Sequence, residues 1–336
     1  MPTCLNDDLA APVPAEISAT VKVLNFFAVT TPFVGFVAAM FLLWGRGFNW
    51  MYAGIMSLFL FPTAMSITIG FHRLFTHRSF ETIAPIKFML GVLGSMALEG
   101  PIIKWCVTHR YHHQHSDHAE DVHSPYHHGD GIAGFLKGFW HAHVGWFFAP
   151  EIPNLSKYAK DLIEDPIVAF VSRTFWLWVF LGLALPALIA GLVTMTWTGA
   201  LLGLIWGGLV RLFIVHHMTW SINSVCHIWG SRTYRSHDES RNNVIFGIVS
   251  FGEGWHNNHH AFPTSARHGL AWWQFDMSWM IIRTLELLGL AWKVRLPSDH
   301  QMAAKRIEPV RGTGFQPVSR DLSNQHELET RATTQA

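Results

Sequence analysis

The sequence predicts an all-α integral membrane protein, with four transmembrane helices in two hairpins and a cytosolic helical cap. Three observations predict it. Half of the 336 residues are hydrophobic and only 14% are charged, whereas soluble domains carry about a quarter charged residues. The charges are missing from a few stretches rather than thinned evenly along the chain. Basic residues, finally, collect in two long segments outside those stretches.

The uncharged stretches define the spans. Val23 to Gly45 runs 23 residues without a charge, and Gly47 to Phe71 another 25, with only Arg46 between them. Thr174 to Val210 is 37 residues long and uncharged, enough for two crossings of about 20 residues and a tight turn. Spans are therefore expected at about 24–45, 50–71, 174–195 and 198–219. A buried helix of a soluble protein seldom needs so many consecutive apolar residues. The first span is not expected to be a signal peptide, because Asp7, Asp8 and Glu16 precede it and no small-residue cleavage site follows.

Orientation follows from the basic residues. Segment 72–173 carries Arg73, Arg78, Lys87, Lys104, Arg110, Lys137, Lys157, Lys160 and Arg173, and the C-terminal part carries many more. By the positive-inside rule both long segments and both termini are expected on the cytoplasmic side. Residues 1–22 read as a polar arm, 23–305 as the membrane domain with cytosolic segments 72–173 and 220–305, and 306–336 as a disordered tail. Three shorter apolar stretches, Pro85–Leu98, Phe135–Phe148 and Val244–Phe251, read as interfacial or core helices. Trp140, Trp146, Trp272 and Trp273 are expected as interfacial anchors. A formal net charge of +1 gives no footprint for nucleic acid, and Cys4, Cys106 and Cys226 do not make a disulfide framework.

Against this apolar background stand 22 histidines, nearly as many as the 24 lysines and arginines together. Eight of them form three patterned groups: His72 and His77 in HRLFTH, His109, His112 and His113 in HRYHH, and His256, His259 and His260 in HNNHH. His-x-x-His-His places its imidazoles on one helical face. Two of the three can reach one metal, or the group can split between two metals. His72 and His77 are five residues apart, about 140° around an ideal helix, so that pair is expected to straddle a helix end. Neutral imidazole suits iron, zinc and copper. Cysteines near these groups occur only singly, so a structural zinc site of several thiolates is excluded, and there is no HExxH motif.

Eight imidazoles exceed what one metal accepts, so two metals are expected. All-nitrogen sets with open positions at the mouth of a membrane protein suit two irons that use O₂. Asp117, Glu120, Asp121, Asp238, Glu239 and Glu253 are available to orient the rings. The remaining histidines, His115, His118, His123, His127, His128, His141, His143, His237 and His268, are expected behind the metal ligands or at the surface. His216 and His217 are expected at the membrane interface. Gly252 and Gly254 would let the chain turn closely before the last group.

These groups resemble the three histidine boxes of the membrane fatty acyl desaturases, of the Δ9 stearoyl-CoA desaturase type and its bacterial and plant relatives. HRLFTHRSF, HRYHHQHSD and FGEGWHNNHHAFP match in order, spacing and membrane context, and SRNN and SARHGLAWWQFD resemble the bacterial and plant branch. The resemblance spans about residues 25 to 296. It implies an enzyme with two iron ions (Fe2+/Fe3+) that uses O₂ and two electrons to put a cis double bond, at Δ9, into a saturated acyl chain. The chain would be carried on CoA or a membrane lipid, and a separate ferredoxin or cytochrome b5 would supply the electrons. Through TWSINSVCH the resemblance also makes His227 a ninth ligand and Asn223 a ligand through water. It places Trp105, Thr219 and Trp220 at the bend of the acyl tunnel. Glu99, in LEGPIIKW, stands where the family commonly has Gln, and Val122 stands in HAEDVHSP where proline is common. Two alternatives share parts of this pattern: a histidine-box hydroxylase of acyl chains or alkanes, and a His-rich metal transporter. The transporter reading requires ligands along the spans, yet the patterned histidines gather at one end of them.

Overall fold

The computed structural model describes residues 17–45, 49–149 and 155–308. It is mostly helical, and four of its helices are long and apolar enough to cross a membrane: Ala19–Leu42, Trp50–Thr76, Phe175–Thr194 and Trp197–Ile228.

Helix α1 (Ala19–Gly45) begins inside the expected polar arm, of which residues 1–16 lie outside the described residues. Helix α2 (Trp50–Met65) is started by Asn49, whose side chain accepts from the Met51 amide. It continues without a break into a π-helical segment, Ser66–Thr76, in which every residue is buried. After a two-residue strand, β1 (Glu81–Thr82), come α3 (Ala84–Ser95) and α4 (Ile102–His115), both entered through prolines. Next are α5 (Gly131–His143), a 3₁₀ turn at Gly145–Phe148, α6 (Leu155–Ile163) and α7 (Pro166–Arg173). Helix α8 (Phe175–Thr194) ends at Met195, whose φ of 51° reverses the chain, and Thr196 caps α9 (Trp197–Gly203). A second π-helical segment, Leu204–Val210, joins α9 to α10 (Arg211–Ile228). Short helices α11 (Val244–Val249), α12 (His256–Ala261), α13 (Met277–Leu287) and α14 (Asp299–Lys305) complete the chain. Strand β2 (Ala291–Trp292) pairs antiparallel with β1.

Small residues let the long helices approach. A Cβ on Gly203 would stand 2.4 Å from the Ala190 Cβ, and one on Gly207 would stand 2.5 Å from the Pro186 Cβ, so α8 and the α9–α10 helix meet backbone to backbone. Helix α1 packs on the same fourth helix. A Cβ on Gly35 would be 2.4 Å from the Leu209 Cβ, and Phe36 stacks on Phe213 at 4.2 Å. Below them, Ile69, Phe71, Phe80, Ile102 and Ile282 are buried in the main core.

The second and fourth long helices pass the expected span ends at 71 and 219 and run to Thr76 and Ile228. These extensions carry His72, Asn223 and His227. On α5 the exposed Ile132, Phe135, Leu136 and Trp140 share one face, as an interfacial helix requires. Trp272 and Trp273 are exposed as expected, but Trp146 instead lines an internal cavity. Arg306, placed in the tail by the sequence, bridges to Tyr234; residues 309–336 lie outside the described residues.

Arg211 sits fully buried where three elements meet. Its guanidinium donates to the carbonyls of Gly207 (3.0 Å), Met96 (2.9 Å) and Gly182 (3.1 Å). Arg211→Met would leave the last two carbonyls without a donor and away from water. It is expected to cost on the order of 3 kcal/mol, read as a lowered thermal unfolding midpoint in detergent.

Candidate metal centre

Four elements deliver nine imidazoles to one place. The π-helical segment carries His72 and leads into His77. Its i→i+5 register, in which the His77 amide donates to the His72 carbonyl at 3.1 Å, sets residues five apart over one another. The sequence reading had this pair straddle a helix end. His77 does lie just past the last π-helical residue, but the widened register is what brings both rings to the same side. Helix α4 supplies His109, His112 and His113, α10 supplies His227, and α12 supplies His256, His259 and His260. The turn into α12 needs both glycines. Gly252 has φ 115° and would place a Cβ 2.3 Å from Asp276 Oδ1; a Cβ on Gly254 would be 2.1 Å from the Gly247 nitrogen.

The nine imidazoles form two sets. His72, His77, His109, His113 and His259 offer ring nitrogens within 4.8 Å of one another, and so do His112, His227, His256 and His260. Each His-x-x-His-His group therefore splits. His109 and His113 go to the first set and His112 to the second; His256 and His260 go to the second and His259 to the first. The sets abut, with His113 and His260 stacked at 4.3 Å.

Carboxylates fix the outward nitrogens. His112 Nδ1 lies 2.9 Å from Asp121 Oδ1, His227 Nδ1 2.8 Å from Asp117 Oδ2, and His260 Nδ1 2.5 Å from Asp238 Oδ2. Glu253 takes His72 Nδ1 on one oxygen and the Arg73 guanidinium on the other. A carboxylate on Nδ1 holds the proton there and turns a bare Nε2 inward. Of the acids that the sequence offered, Glu120 is exposed and Glu239 pairs with Arg232 and Arg241; neither orients a box histidine.

Inward, the nitrogens face each other. Nε2–Nε2 separations are 3.0 Å for His72–His259, 2.8 Å for His259–His113 and 3.0 Å for His227–His256. The Nε2 atoms of His77, His112 and His260 are buried without a hydrogen-bond partner. Burial, and then the neighbouring imidazoles, push His77, His109, His113, His256 and His259 well below the ordinary histidine value. Buried neutral rings with converging lone pairs are costly on their own and suit a shared cation. Both sets fit metal sites.

A cavity of about 360 Å³ reaches the centre, and His72, His109 and His256 open onto it. Its walls include Ala64, Ile67, Val215, Met218 and Ile222. Trp105, Thr219, Trp220, Glu99 and Asn223 all line it as well. Trp105 stacks on His109 at 5.2 Å and donates to Glu99 at 3.1 Å. Asn223 stands one helical turn before His227, outside both histidine sets. His216 is buried rather than interfacial, hydrogen-bonded to the Ala97 carbonyl at 2.8 Å.

Two of the histidines expected behind the ligands or at the surface stand directly behind the rings. His268 is buried against His259 (4.4 Å between rings), 3.6 Å from Glu253, with both ring nitrogens unpartnered. His123 stacks on His112 at 4.1 Å and shares Asp121 with it. The only sequence signal for them was proximity to a box; they have no ligand spacing of their own.

Residues 48–287 match the family described as fatty acid desaturase. The chain belongs to that family, and it is a fatty acyl desaturase. It is 41% identical over 278 residues to a hex-5-enoyl-[acyl-carrier protein] acetylenase of Moorena producens, covering 82% of this chain and 87% of that one. It is 39% identical over 268 residues to an sn-1 stearoyl-lipid 9-desaturase of Anabaena variabilis, covering 79% and 92%. An icosanoyl-CoA 5-desaturase of Limnanthes douglasii is 39% identical over 242 residues, covering 70% and 63%. The relatives thus differ in acyl carrier and in bond position.

Glu99 puts a buried carboxyl on the cavity wall. Burial raises its carboxyl to about 7, against the hydrogen bonds from Thr219 and Trp105. The group is therefore neutral below that pH and ionised above it. A carboxylate on an apolar wall opposes an alkyl chain more than the neutral acid does. KM for the acyl substrate is expected to rise as pH passes upward through about 7, and Glu99→Gln is expected to flatten that rise. Steady-state kinetics across this range check it.

Proposed function

We propose that this chain is an O₂-dependent di-iron desaturase that puts a cis double bond, at Δ9, into a saturated fatty acyl chain. The observation that carries this reading is the division of nine buried imidazoles into two abutting sets at the wall of an apolar cavity. His72, His77, His109, His113 and His259 would hold one iron. His112, His227, His256 and His260, with Asn223 through water, would hold the other. When bound, the irons supply the O₂ chemistry that removes hydrogen from an unactivated methylene.

The protein's own residues supply position and dryness. Asp117, Asp121, Asp238 and Glu253 hold the outward nitrogens of His227, His112, His260 and His72, which fixes the orientation of those four rings. The cavity wall around Trp105, Thr219 and Trp220 holds one C–C bond beside the centre and excludes water. In the overall reaction two vicinal C–H bonds break and one C=C bond forms. The two hydrogens so removed, O₂, two electrons from a ferredoxin or cytochrome b5, and two protons together leave as two waters. In this reading residues 23–305 form the membrane domain, its spans cross as two hairpins, and the metal-holding cap and both termini face the cytoplasm. The supports are the apolar spans and the basic residues between them.

Expression in a host lacking Δ9 desaturation, followed by lipid mass spectrometry, is expected to reveal new Δ9 monounsaturated chains. Hydroxy acids would replace this reading with the hydroxylase. His113→Ala and His256→Ala are expected to lose activity and about one iron each from the two held by the purified protein. Asp238→Asn is expected to weaken iron retention about 10- to 100-fold while the protein stays folded, as read by metal analysis against a chelator series.

A further inference from the structure

Three histidines outside both metal sets gather around one tryptophan of the cavity wall. His143 ends α5, while His216 and His217 precede Trp220 by one turn on α10. The Trp220 side chain is buried and lines the cavity. His216 stacks on it at 4.9 Å, and His217 and His143 meet it at 5.3 Å and 5.9 Å. Phe147 packs against it edge to face at 5.3 Å.

One hydroxyl fixes the bond directions in this group. Ser224 Oγ donates to the Trp220 carbonyl at 3.0 Å, one turn back on α10. It is left as an acceptor, and His143 Nδ1 lies 2.9 Å away. A proton on Nδ1 leaves His143 Nε2 bare, and His217 Nδ1 donates to it at 2.9 Å. Both nitrogens of His143 are therefore committed to α10. Behind the pair, Phe139 stacks on His143 at 5.8 Å and Phe213 packs on His217 at 4.2 Å.

Two directed bonds do here what apolar contact alone does not. Hydrophobic packing is non-directional and would let the end of α5 shift along α10, whereas this chain of donors and acceptors closes in one register. The indole it encloses stands on the wall that faces the acyl chain. The position of that wall decides which C–C bond lies beside His72, His109 and His256, the ligands that open onto the cavity.

Resting on the desaturase reading above, we infer that His143 and His217 are positioning residues of the reaction. Their hydrogen-bonded pair holds Trp220 in place and so fixes which bond of the acyl chain is oxidised. Neither lines the cavity and neither belongs to a metal set.

Two variants at His217 that differ in one hydrogen bond test this. Asn carries its amide nitrogen where His carries Nδ1, so His217→Asn keeps the donor to His143; His217→Leu fills the space without it. The full-length proteins are expressed in a host lacking Δ9 desaturation, and double-bond positions are read by mass spectrometry of derivatised acyl chains. Iron content is measured on the purified proteins. Wild type and His217→Asn are expected to give one positional isomer. His217→Leu is expected to keep the wild-type iron content, give a mixture of neighbouring positions, and form product about 10- to 100-fold more slowly. A single isomer from His217→Leu, at whatever rate, overturns the inference and leaves the desaturase reading standing. Equal scatter of positions in the Asn and Leu variants overturns it too, since packing alone would then explain the site. Iron loss in His217→Leu would assign the pair to support of the metal centre and likewise overturn it. Absence of any new double bond with iron-replete wild-type protein sinks both readings.

Discussion

The constraint on which the rest of this structure depends is the cost of burying neutral imidazoles whose inner nitrogens have no proton donor. Nine rings converge, and six of them meet another at Nε2–Nε2 distances near 3 Å, as at His72–His259 and His227–His256. Such an arrangement is costly unless the inner nitrogens serve a cation, and carboxylates help to orient the rings by holding outer nitrogens. Asp121, Asp117, Asp238 and Glu253 hold four of them. Much of the surrounding architecture serves to keep those acids and rings in register: the π-helical turn, the paired glycines before α12, and Arg73 clamping Glu253 and Asp276.

The membrane-length helices do more than anchor. The second and fourth continue beyond their apolar stretches and carry His72 and His227 into the histidine cluster and Asn223 to the cavity wall. The nine rings thus stand on helices or at a helix end rather than on loops. The same fourth helix holds Arg211, which ties the turn after α3 to α8. That turn carries Glu99 to the cavity wall, so packing between the spans also sets the shape of the acyl site.

Some of this was legible along the chain for simple reasons. Uncharged runs report spans because lipid does not tolerate unpaired charge, and the spans expected at 24–45, 50–71, 174–195 and 198–219 agree with the long helices to within a few residues, apart from the early start at Ala19 and the extensions at 76 and 228. The eight box histidines were legible because their spacing repeats. His268 and His123, expected behind the ligands or at the surface, stand behind His259 and His112; which of the two places they take was settled by the fold and not by spacing. Trp146 read as an interfacial anchor and lines the cavity instead; an isolated tryptophan has the same composition in either place.

By itself the sequence determined which groups were available: patterned histidines able to bind metal, acids in the segments near them, and apolar stretches long enough to cross a membrane. Only the tertiary structure decided how the ligands are shared. Spacing along a helix establishes that His109, His112 and His113 look the same way, but not that His112 parts from its neighbours to join His256 and His260. That division depends on how α4, α10 and α12 pack against one another. Packing of distant elements is set by the shapes of their facing side chains, such as the close approach at Gly252 and Gly254, which no local pattern records.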